Sequence, residues 1–156
     1  MLKICTAGNR NITEEKTADI KASLEEKLIS LIDENGTTFM YNGGARGFDL
    51  LAAEIAINLK DRGLPIILFL IFPFKENYAV NWTPHEKERL DNALRFADAK
   101  IWMTEKYYDG CLRKRDKYLV KNSDICIACM TCGLSGAGQT TRLARERGLT
   151  IVTLAR

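Results

Sequence analysis

Two glycine-rich segments carry the residue types that binding or chemistry on a phosphorylated ligand would need. The first, Asn42-Gly43-Gly44-Ala45-Arg46-Gly47-Phe48-Asp49, lies between a strand-like and a helix-like stretch. Its glycines let the backbone turn sharply and approach a ligand with no Cβ in the way. Amides opening the next helix face outward and favour an anion such as phosphate. Arg46 would add a charge-assisted fork, and Asp49 would accept from a ribose hydroxyl or cap the helix. The alternative is a tight turn with Asp49 as a plain N-cap. The second segment, Gly133-Leu134-Ser135-Gly136-Ala137-Gly138-Gln139-Thr140-Thr141, also falls between a strand and a helix. Its small residues and hydroxyls suit phosphate or ribose oxygens. Here the alternative is an ordinary loop capped by Thr140. A third stretch, Thr6-Ala7-Gly8-Asn9-Arg10, would converge on the same edge. Arg113 and Arg115, in the basic run 113–117, would reach a phosphate if their helix starts near a strand end, and the run reads equally as a solvated helix face.

Other reactive residues carry weaker signals. Cys126-x-x-Cys129-x-x-Cys132 has part of an iron–sulfur spacing, with Cys111 as a fourth thiol. Residues three apart on a strand point to opposite faces, so buried cysteines are the simpler reading and no metal is expected. His85 is the sole histidine and sits in the first turn of an expected helix, which suits a solvated role. Trp82, Trp102, Tyr107 and Tyr108 offer stacking surfaces for a base, although aromatic residues at strand and helix edges usually belong to the core.

The elements that must position these residues alternate. Leu2–Ala7 reads as a strand. Thr13 caps a helix in which Ile20, Leu24, Leu28 and Leu31 recur at helical spacing until Asn35-Gly36 stops it. Thr37–Tyr41 is a second strand, Asp49–Leu59 a helix, and Pro65–Phe72 an apolar strand of the kind covered on both faces. Thr83-Pro84-His85-Glu86 is a capping box that opens a helix running to about Phe96. Lys100–Met103, Gly110–Lys121 and Ile125–Met130 follow as strand, helix and strand. A loop from Cys132 to Gly138, a helix ending at Gly148 and a strand Thr150–Leu154 complete the pattern. Such alternation implies an α/β fold with a mainly parallel sheet and helices on both faces. The glycine-rich loops then gather beyond the carboxyl ends of the strands, where ligands bind in such sheets.

Composition bounds the function classes. The 156 residues suit one domain spanning 1–156. The net charge of +3 is too mild for a non-specific nucleic-acid binder, so nucleic acid is disfavoured as a partner. Fourteen of the 23 Lys and Arg residues fall in 79–156, the better source of cations for an anionic ligand. The longest apolar run is about 11 residues against the ~20 of a membrane span, and no charged leader precedes an apolar segment at the N-terminus. With five cysteines in no framework spacing, a reducing cytoplasm is the expected location.

The order of T-A-G-N-R, G-G-A-R-G-F-D-L-L-A-A-E, P-F, Trp82, Asp98, Y-x-D-G, R-K-R-D-K-Y-L-V-K-N-S-D and S-G-A-G-Q-T-T-R resembles the SLOG superfamily, which includes the Smf/DprA and LOG groups. The likeness runs from Thr6 to Arg142 and is nearest to the YpsA-like proteins. It implies a three-layer Rossmann-like fold that binds a nucleotide or nucleotide derivative through its strand-to-helix loops; no resident cofactor is expected. By motif position it implicates Thr6, Gly8 and Arg10; Gly43, Gly44, Arg46, Gly47 and Asp49; and Ser135, Gly136, Thr140 and Thr141, with Glu54 behind the second loop. It also makes a homo-oligomer plausible. The LOG-type phosphoribohydrolases carry P-G-G-x-G-T-x-x-E, whose glutamate serves catalysis. The comparable loop here has no acid and no preceding proline, and Gly138 replaces a threonine. Cleavage of an N-glycosidic bond needs a carboxylate. Asp49 or Glu54 would have to supply it. The primary expectation is therefore a nucleotide-derivative binding or sensing domain, with a glycosidic-bond hydrolase and a DprA-like single-stranded DNA binder as rivals.

Overall fold

Strands and helices alternate without exception across residues 1–129 and 136–154, the part of the chain described by the computed structural model. In order they are β1 (Leu2–Gly8), α1 (Glu14–Asn35), β2 (Thr38–Asn42), α2 (Phe48–Asp61), β3 (Ile66–Phe72), α3 (Pro84–Phe96), β4 (Ala99–Trp102), α4 (Cys111–Lys121), β5 (Ile125–Cys129), α5 (Gly136–Glu146) and β6 (Thr150–Thr153). The strands form one sheet in the order β4-β3-β2-β1-β5-β6, every neighbouring pair parallel. The chain moves outward from β1 to β4, then returns to β5 on the other side of β1. The gap between β1 and β5 is therefore the topological switch point, where a crevice forms beyond the strand ends.

Strand alternation divides the core into two layers. Leu2 and Ile4 of β1 pack with Ile20, Leu24 and Leu28 of α1, Leu50 and Leu51 of α2, and Leu90 and Ala93 of α3. Cys5 and Ala7 face the other way, toward Leu119 and Val120 of α4 and Ala144 of α5. Helices thus cover both faces, as the expected three-layer fold requires. Cys126 and Cys129 of β5 fall in opposite layers, as residues three apart on a strand must. Cys5, Cys111, Cys126 and Cys129 are all free and buried, and Cys132 lies outside the described residues.

Two termini behave differently from each other. The Thr83 hydroxyl accepts from the Glu86 amide at 3.1 Å while Glu86 accepts from the Thr83 amide at 2.9 Å, the reciprocal capping box the sequence anticipates. Thr13 stands at the N-cap of α1 but makes no side-chain cap, its carbonyl instead accepting from the Thr17 hydroxyl at 2.9 Å. A larger correction concerns α5. It begins at Gly136, so Gly136 through Thr141 are helical and Thr140 is not its cap.

Candidate functional site

The loops after β1 and β2 are locked into each other. The Phe48 amide donates to Asn9 O at 3.0 Å, and the Asn9 amide donates to Cys129 O of β5 at 3.2 Å. Gly47 has φ +79°, and a Cβ there would lie 2.3 Å from Asn9 O and 2.4 Å from Arg10 O. A Cβ on Gly8 would lie 2.3 Å from the Phe48 Cβ. These glycines are required by the protein's own close packing. The expected open row of amides over residues 43–49 is corrected in the same way. The Gly44 amide donates to Asn42 Oδ1 at 2.8 Å, the Ala45 amide to Asp49 Oδ2 at 3.3 Å, and the Phe48 amide to Asn9. Three donors that a phosphate would use are consumed by protein acceptors, because a loop this buried must satisfy its own backbone.

At the β1/β5 crevice lies a cavity of about 80 Å³. Thr6, Gly8 and Arg10 border it from the first loop, Ala45 and Asp49 from the second, Leu112, Arg115, Asp116 and Leu119 from α4, and Gln139 and Thr140 from α5. Segments 6–10 and 42–49 therefore converge with Gln139 and Thr140 of segment 133–141, whose residues 133–135 lie outside the described part of the chain. Asp49, at 8% exposure, accepts from the Thr6 hydroxyl at 2.9 Å. It is the second residue of α2, so it is not the cap of that helix. Arg115 and Asp116 are each 5% exposed, with Arg115 Nε 2.8 Å from Asp116 Oδ1 and a further guanidinium nitrogen donating to Gly43 O. With the Gln139 amide oriented by its neighbours, its nitrogen donates to Asp116 Oδ2 at 3.1 Å and its oxygen accepts from Arg113 at 3.2 Å.

Burial dominates the electrostatics. Desolvation pushes Asp49 up to about 6, against the pull of Arg115 and of the Thr6 and Ala45 hydrogen bonds. Asp116 is raised for the same reason, with Arg115 opposing. Burial pulls the Arg115 guanidinium downward, but Asp116, Tyr78 and Asp49 more than reverse it, so it stays charged.

Beyond this cavity opens a bay of about 430 Å³ that shares Arg10, Ala45 and Leu112 with it. Its wall is aromatic: Phe74, Tyr78, Trp82 and Tyr107, together with Arg46, Asn11 and Asn81. Arg46 is paired across the surface with Glu86 at 3.4 Å, and Tyr78 donates its hydroxyl to Gly44 O at 2.9 Å.

Glu54 is not brought to the crevice. It receives both Arg89 Nε at 3.0 Å and Arg89 Nη2 at 2.5 Å, and borders grooves beside α3 together with the exposed His85. Five residues along a helix rotate a side chain about 140°, so Glu54 cannot share the face of Asp49. Arg113 is exposed and reaches the site only through Gln139. Thr141 is buried but does not border the cavity, and Ser135 lies outside the described residues. Sequence reasoning missed Asp116, Phe74 and Tyr78 at the cleft, and held Gln139 only as one member of its second segment. Asp116 carried a signal: it sits on the row Leu112–Asp116–Val120, a charge at an apolar position of α4.

A parallel sheet with its crevice at the β1/β5 switch point defines a Rossmann-like α/β protein. The model of the YpsA family, described as the YspA SLOG family, matches residues 7–137, and the chain belongs to that family. A UPF0398 protein of Halalkalibacterium halodurans is 33% identical over 125 residues, covering 79% of this chain and 62% of the relative. The chain spans 56% to 62% of the length of the first curated relatives it matches. Among solved structures, DNA processing protein A from Helicobacter pylori, described for its single-stranded DNA binding mode, superposes with a TM-score of 0.66 at 18% identity over 97% of this chain and 64% of that one. DprA from Streptococcus pneumoniae gives a TM-score of 0.69 at 14% identity, over 97% and 50%. These likenesses establish the shared fold. Among the described residues no helix is long and apolar enough to cross a membrane.

Proposed function

We propose that the β1/β5 cleft binds a phosphorylated nucleotide derivative, with the phosphate between Arg10 and the first turn of α5. The observation that carries this reading is the position of Arg10. It is exposed, makes no ion pair among the described residues, and borders the inner cavity, the aromatic bay and a groove toward α3. The positive end of α5, which presents Gln139 and Thr140 to the cavity, supports an anion beside it. The inner cavity is too small for a nucleotide, so the ligand extends outward. Thermal-shift titration with a panel of nucleotides, dinucleotides and sugar phosphates tests this. Stabilisation by at least one of them is expected, and stabilisation by none overturns it.

Two observations favour rival readings. Asp49 is raised toward neutrality at the cavity wall, where it could act on a glycosidic bond; Glu54 is engaged elsewhere, and Asp116, also at the wall, is held by Arg115. Base release from nucleoside monophosphates that Asp49→Asn abolishes would support a hydrolase. The likeness to a protein that binds single-stranded DNA reopens nucleic acid as a partner, against the expectation from net charge. A gel shift with a single-stranded oligonucleotide that weakens steeply with salt would support that reading.

A further inference from the structure

We infer that the aromatic bay receives the base of a mononucleotide derivative, its ring stacked on Trp82 and Tyr107. The inference rests on the phosphate reading of Arg10 and adds the class of group attached to that phosphate. A bay of about 430 Å³ falls in the size range of small-ligand sites, whereas the inner cavity of about 80 Å³ does not. Tyr78 and Trp82 back onto the core but stay part-exposed, and Tyr107 is left 59% exposed, so the wall keeps aromatic surface that the core does not cover.

The wall is also pre-organised. Trp82 rests against Tyr78 with ring centres 5.6 Å apart, and the Tyr78 hydroxyl is anchored on Gly44 O. Tyr107 meets Phe74 edge-on at 5.3 Å, and Phe74 meets Tyr78 at 5.3 Å. The two loops that carry these rings are tied by backbone bonds, Lys75 N to Thr104 O at 3.1 Å and Glu76 N to Glu105 O at 2.8 Å. Asn77 turns its loop through φ 59°, a conformation that asparagine tolerates. Rings fixed before binding lose little entropy when a base stacks on them. Asn11 and Asn81 add amide donors and acceptors suited to a base edge.

Calorimetric titration of the full chain with AMP and with ribose 5-phosphate separates this inference from the reading beneath it. AMP should bind about tenfold or more tighter than ribose 5-phosphate, the usual scale of base–aromatic stacking. Trp82→Ala should remove that preference and leave ribose 5-phosphate affinity unchanged. Tyr107→Ala should narrow the preference in the same direction, and its exposure keeps the fold out of the comparison. Equal affinity for the two ligands, or variants that weaken both alike, would overturn the inference while sparing the phosphate site. Binding of neither ligand overturns the mononucleotide inference, and the phosphate reading is then decided by the wider panel. A single-stranded oligonucleotide that binds more tightly than AMP and loses affinity in the same variants would overturn the mononucleotide assignment.

Discussion

The inner cavity and the outer bay share Arg10, Ala45 and Leu112 yet differ in almost every physical respect. The inner cavity holds the charged, perturbed groups that usually mark an active site. Those groups are consumed by one another: Asp49 by Thr6 and Ala45, Arg115 by Asp116 and Gly43, Asp116 by Gln139. The outer bay, where burial pushes the Tyr78 hydroxyl up, leaves Tyr107 largely exposed and opens beside the exposed Arg10, which makes no ion pair among the described residues. A buried polar network that is internally satisfied stiffens a fold, whereas an open concave wall beside a cation has something left to offer a ligand. The contrast teaches that perturbation alone does not locate the binding surface here.

The largest test of this division is Arg115→Met. Removing the guanidinium leaves Asp116 and Gly43 O buried without their partner, so stability should fall by about 3–5 kcal/mol in urea unfolding. A loss under about 1 kcal/mol would show that the network is not structural. Asp49→Asn sharpens the same point through pH. The folded pKa of about 6 lies above the ordinary 3.8, so the native state holds the proton more tightly. The stability this gives is complete below pH ~4 and lost as pH rises through about 6. The asparagine, able to accept from Ala45 and donate to the Thr6 hydroxyl, should therefore be more stable than wild type at pH 8 by up to about 3 kcal/mol. The gain should vanish below pH 4, and an unchanged gain across that window would break the argument.

A smaller effect probes the loop interlock. Gly47 and Gly63 both have positive φ, but only Gly47 faces backbone atoms within 4 Å of an added Cβ. Gly47→Ala should cost about 1–3 kcal/mol more than Gly63→Ala, the overpacking added to a shared conformational strain. Equal costs would mean the loops are not locked together. Arg10→Ala sits at the other end of the scale and should change stability by less than about 0.5 kcal/mol.

Much of this arrangement is legible from the chain. Periodicity and turn residues locate every described strand and helix, and the loops after β1 and β2 do meet the start of α5 at one cavity. What escaped the sequence is tertiary. Gly136 and Gly138 read as loop because glycine weakens helices, yet α5 starts at Gly136. Arg115 and Asp116 sit inside a basic run that resembles a solvated face, while only Arg113, Lys114 and Lys117 are exposed. Glu54 matched a family pattern, but its partner Arg89 comes from α3, 35 residues away. Phe74 and Tyr78 lie in a loop without periodicity, and the Tyr78 contact with Gly44 crosses 34 residues.

The central claim is that Arg10 grips a ligand's phosphate at the mouth of the cleft. Its most direct measurement is the stabilisation of wild type and Arg10→Ala against unfolding by saturating AMP. At about 100 times its dissociation constant AMP should add about 2.7 kcal/mol to wild type. Arg10→Ala should fold equally well and gain little at the same concentration. Equal stabilisation of both proteins would contradict the claim.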